Sequence, residues 1–69
     1  MNFYEVLLAV VQHGMEIGRV RVPVSARCRF DAVLAAESEV EDQYGPDAQS
    51  KLMEVNSVAA EEFNAPQAA

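Results

Sequence analysis

Phe3-Tyr-Glu-Val-Leu-Leu-Ala-Val-Val-Gln12, then His13-Gly14, then Met15-Glu-Ile-Gly-Arg-Val-Arg-Val-Pro-Val24 is the stretch on which the fold turns. The first segment is rich in Val and aromatic residues, free of Gly and Pro, and one strand long. His13-Gly14 suits the positive φ angles of a tight hairpin turn. The segment after it returns as a second strand, with Arg19-Val-Arg-Val-Pro-Val24 alternating polar and apolar. Pro23 has no N–H for a ladder, which places this strand at a sheet edge or ends it there.

A two-residue loop predicts the pairs Gln12–Met15, Val10–Ile17, Leu8–Arg19 and Val6–Arg21. One face of the hairpin then carries Phe3, Leu7, Ala9, Val11, Val20, Val22 and Val24, interrupted by Glu5 and Glu16. The other carries Tyr4, Val6, Leu8, Val10, Met15 and Ile17, interrupted by Arg19 and Arg21. Side chains alternate sides along a strand, so one covering layer cannot serve both faces. The first face suits a helix. The second, Tyr4, Val6, Leu8, Val10, Met15 and Ile17, is expected to be an interface.

Downstream, Val33, Ala36, Val40 and Tyr44 recur at helical spacing between Arg29 and Tyr44, and Gly45-Pro46 stops the helix, with Gly as a left-handed cap. Cys28-x-x-Asp31 stands where a capping box belongs, and Ser25 is a rival N-cap. Residues 47–63 carry both helical spacing (Ala48, Leu52, Val55, Ala59, Phe63) and the length of a strand. A strand is favoured by topology, because it lies antiparallel beside the first with short connections and moves that strand off the edge. The expected fold is α+β: ββαβ, a three-stranded antiparallel sheet in the order 2-1-3 with one helix on one face. The alternative is ββαα. Residues 1–63 form one domain, and 64–69 read as a disordered tail. Gly18 marks a bulge or a close helix approach.

Sixty-nine residues support only a thin core, and domains of that size usually need a staple. A lone Cys28 excludes an internal disulfide, and Cys28 with His13 falls short of a structural zinc set. Self-association remains, and a homodimer is the expected partner state. The opening lacks a basic n-region, and Val6–Val11 is too short for a signal or a membrane helix, so the cytoplasm is the expected compartment.

Charge is uneven: residues 1–30 hold four arginines against Glu5 and Glu16, and 31–69 hold nine acids against Lys51. The net charge of −6 disfavours general nucleic-acid binding. Arg19, Arg21, Arg27 and Arg29 form a candidate basic patch, with Tyr4 on the same face as Arg19 and Arg21 offering a stacking platform. Glu37, Glu39, Glu41 and Asp42 form a candidate acidic face, with Glu37 placed to pair with an arginine at a boundary. His13 reads as a turn residue, since no partner completes a triad. Cys28, between Arg27 and Arg29, is a candidate reactive thiol or a semi-buried cap substitute. No catalytic residues, metal or cofactor are expected. The leading expectation is a small non-enzymatic interaction module that self-associates through the hairpin. The alternatives are an acidic inhibitor mimicking nucleic acid on a basic host protein, and a nucleic-acid accessory protein using the arginine face.

Overall fold

The turn at His13 and Gly14 sets the fold, and both residues take positive φ, 54° and 78°. In the computed structural model, which describes residues 1–60, it joins strand β1 (Asn2–Gln12) to strand β2 (Met15–Ala26). A helix, α1 (Arg29–Tyr44), follows, and a third strand, β3 (Ala48–Val58), returns antiparallel to β1. The sheet order is β2-β1-β3, so the ββαβ topology is the one expected, with residues 48–58 as strand. The expected tail at 64–69, and residues 61–63 of the domain, lie outside the described residues. Among the described residues no helix is long and apolar enough to cross a membrane.

The hairpin register departs from the expectation by one residue. Gln12 pairs with Met15 as predicted and Val11 with Glu16, but Val10 then pairs with Gly18, Leu8 with Val20 and Val6 with Val22. Ile17 is the extra residue of a β-bulge, and from there on every β2 side chain is on the opposite face from the one an unbroken ladder gives it. The expected pairs Val10–Ile17, Leu8–Arg19 and Val6–Arg21 are therefore wrong. Gly18 adjoins this bulge, and a Cβ there would meet open space, so no helix presses on it. A second shift lies between β1 and β3, where Leu7 pairs with Glu54 and Leu8 with Leu52, leaving Met53 as the extra residue.

The bulge decides the core. By moving Val20, Val22 and Val24 onto the side of Leu8, Val6 and Tyr4, it gathers the branched side chains of both strands on one face. The helix packs there: Tyr4, Val6, Leu8, Val10, Val24 and Ala26 are buried together with Ala32, Ala36 and Val40. Small residues line the inward face of α1, which lets the helix approach the sheet closely. Val33, Val55, Val20, Val22 and Ala48 seal the margin. Among the described residues the Tyr4 phenol is the core's one polar side-chain group, and no buried side-chain nitrogen or oxygen lacks a partner.

The helix ends follow local chemistry. Cys28 is the N-cap, with extended φ and ψ of −153° and 171°, and its carbonyl accepts the first helical bond from the Ala32 N–H at 3.0 Å. Its side chain makes no cap hydrogen bond. Ser25 is not a cap. It belongs to β2, and its hydroxyl donates to the Met1 sulfur at 3.4 Å. At the other end the Gly45 N–H donates to the Glu41 carbonyl at 2.8 Å. Gly45 has φ 90° and ψ 173°, which corrects the left-handed helical cap to an extended conformation that only glycine adopts readily. The high ψ is also what a following proline imposes.

Candidate functional site

The surface expected to form the interface is the one the helix covers. Tyr4, Val6, Leu8 and Val10 are core residues, and only Met15 and Ile17 of that set remain exposed. The reason is the one-residue bulge: once β2 turns its valines to this side, it becomes the more apolar face and takes the helix. The opposite, open face presents Phe3, Glu5, Leu7, Ala9 and Val11 along β1, between Arg19 and Arg21 on β2 and Lys51 and Glu54 on β3. Ala9 is buried even though no helix crosses that side. Its register neighbours are Arg19 and Lys51, residue types whose long aliphatic stems cover apolar surface while their charges stay in water. This face is therefore half covered by its own side chains, as one side of an antiparallel sheet commonly is.

The arginines do not form one patch. Arg21 donates from Nη1 to Glu5 Oε1 at 3.0 Å and Arg19 from Nε to Glu16 Oε2 at 3.2 Å, both on exposed ground. Arg27 lies in the link from β2 to α1, where its carbonyl accepts from Asn2 Nδ2 at 3.2 Å, and Arg29 is the first helical residue. Tyr4 is buried on the far side of the sheet from Arg19 and Arg21, so the expected basic–aromatic platform does not exist. On α1, Glu39, Glu41 and Asp42 are exposed and Glu37 is half-buried. Arg27, Arg29, Glu37, Glu41, Lys51 and Glu54 all stand outside the two ion pairs found among the described residues.

His13 is exposed in its turn, and folding brings Asp47 and Gln49 beside it in a shallow notch. No hydrogen bond joins the three among the described residues, and no metal-binding group of three or more His, Cys, Asp or Glu residues occurs there. Cys28 is exposed, not semi-buried.

What the sequence reading missed is the flank where α1 meets β3. Phe30 is 70 % exposed, Leu34 50 %, Leu52 46 % and Met53 42 %. Phe30 and Val33 face Leu52, Met53 and Val55 across an open groove of about 620 Å³, and Leu34 stands further along the same flank beside Ala48 and Ser50. Large side chains on a helix are expected inward. Here Ala32, Ala36 and Val40 take the inward positions, and the large ones are displaced toward β3. The signal was present in the sequence as Phe30 and Leu34 at i and i+4, one stripe removed from the Ala32–Ala36–Val40 stripe.

Among the described residues strand β3 is an edge, paired on one side only. The other edge, β2, carries Pro23, Arg19 and Arg21, devices that discourage pairing, whereas β3 is eleven residues long without proline. No protein-family model, curated protein or solved structure matches the chain.

Proposed function

We propose that this chain is a small non-enzymatic interaction module of the cytoplasm that self-associates through the flank formed by α1 and the outer edge of β3. One observation carries the reading: Phe30, Leu34, Leu52 and Met53, all large and all well exposed, stand together beside a strand edge that no described residue pairs with. Contiguous apolar surface of this kind is scarce on monomers and marks interfaces. An eleven-residue edge is about 36 Å long, and on a body 18 Å thick it offers roughly 650 Å² per copy, close to the ~800 Å² per partner of a standard interface. A core as thin as this one benefits from such a contact, because association stabilises the folded chain by mass action.

Sedimentation equilibrium tests the proposal. The wild type is expected at twice the 7.6 kDa chain mass. Phe30→Asp with Leu34→Asp is expected at the single-chain mass with an unchanged circular dichroism spectrum, because both side chains project away from the core. A wild type at the single-chain mass at roughly 100 µM, where any association stronger than about 5–6 kcal/mol is populated, overturns it.

A further inference from the structure

Resting on that self-association, we infer how two copies meet: β3 pairs antiparallel with β3 of a second copy about a two-fold axis between Leu52 and Met53, making one continuous six-stranded sheet with both helices on the same side.

The register follows from the bulge at Met53. Because Met53 is the extra residue, Ala48, Ser50 and Leu52 share the helix side with Val55 and Ser57, while Gln49 and Lys51 share the open side with Glu54 and Asn56. Strands that pair directly must match faces. Setting Lys51 opposite Glu54 of the second copy satisfies this throughout: Ser50 then meets Val55, Gln49 meets Asn56 and Ala48 meets Ser57. It also places opposite charges directly across the junction, twice by symmetry, and among the described residues neither side chain has an ion pair within its own chain. A bulge on an edge strand otherwise disrupts foreign pairing. At the axis it interrupts the ladder only in the middle and leaves a matched arm on each side.

The helices agree with this arrangement. Each packs on all three strands and is centred over β1, so across the junction the two stand about 14 Å apart, three strand spacings. That exceeds the about 8–10 Å of direct helix packing and leaves a trough to be filled. Phe30, Leu34, Leu52 and Met53 from both copies line it. The two-fold axis runs the helices antiparallel, setting Arg27 and Arg29 at the basic end of one against Glu37 and Glu41 of the other. The far edge, β2, is blocked by Pro23 and its arginines, so pairing closes at two copies and does not propagate.

Charge reversal tests the register. Lys51→Glu alone and Glu54→Lys alone each set like charges across the junction twice, and each is expected to weaken dimerisation about tenfold. The double variant Lys51→Glu with Glu54→Lys restores the pair and is expected to return to within about threefold of wild type. Each is measured by sedimentation equilibrium, with urea unfolding at low concentration confirming an intact fold. Dimerisation that survives both single reversals unchanged, or a double variant as weak as their sum, overturns this register while self-association stands. A wild type that is monomeric at every concentration overturns both.

Discussion

Leu7 and Leu8 are adjacent in sequence and lie on opposite faces of the central strand, and truncating each in turn gives the sharpest test of the fold. Leu8 is completely buried under α1, opposite Val20 and Leu52, while Leu7 stands half-covered on the open face, opposite Arg21 and Glu54. Leu8→Ala removes the transfer energy of the lost carbons and leaves a cavity in a core with few side chains to collapse into it, an expected cost of about 3–4 kcal/mol. Leu7→Ala loses part of the transfer energy and leaves no cavity, so about 0.5–1 kcal/mol is expected. A domain of 69 residues has roughly 3–10 kcal/mol of stability, so the first variant is at the margin of folding and the second is near wild type. Urea unfolding followed by circular dichroism reads both, at one fixed concentration because association adds to apparent stability. An equal or greater loss for Leu7→Ala would mean that the helix covers the other face and that the Ile17 bulge is absent.

Two further substitutions probe the helix ends. Cys28→Ser supplies the hydroxyl that the N-cap lacks and is expected to raise stability by about 0.5–1 kcal/mol, measured by the same urea titration. Gly45→Ala is expected to lower it by about 1–2 kcal/mol even though its Cβ meets open space, because φ 90° with ψ 173° is a conformation that a side chain resists. A neutral Gly45→Ala would show that the helix ends by another route.

The elements and their order were legible because the hairpin turn and the helix end are signalled locally and the last strand is demanded by topology. The turn needs the positive φ of His13-Gly14, α1 stops at Gly45-Pro46, and β3 has to cover the free side of β1. The faces were not legible. A bulge is one residue, Ile17, in a strand whose alternation looks unbroken from Arg19 to Val24, and its effect is to exchange inside and outside for everything beyond it. An unbroken ladder therefore assigns Tyr4, Val6, Leu8 and Val10 to an outer surface when they are the core. The α1–β3 flank was hidden for a related reason. Val33, Ala36, Val40 and Tyr44 fit helical spacing, yet close packing on the sheet selects Ala32, Ala36 and Val40 and leaves Phe30 and Leu34 outside. Lys51 and Glu54, which the proposed pairing sets against each other, come onto one face only through the second bulge.

Amide hydrogen exchange along β3 at low and high protein concentration reads the strand edge itself and so tests pairing between copies. In a single chain the amides of Ala48–Val58 that point away from β1 have no ladder partner among the described residues and exchange quickly. These outward amides, on both sides of Met53, are expected to become protected as concentration rises, to the level of their inward neighbours. Outward amides that exchange at unprotected rates at every concentration would contradict that pairing.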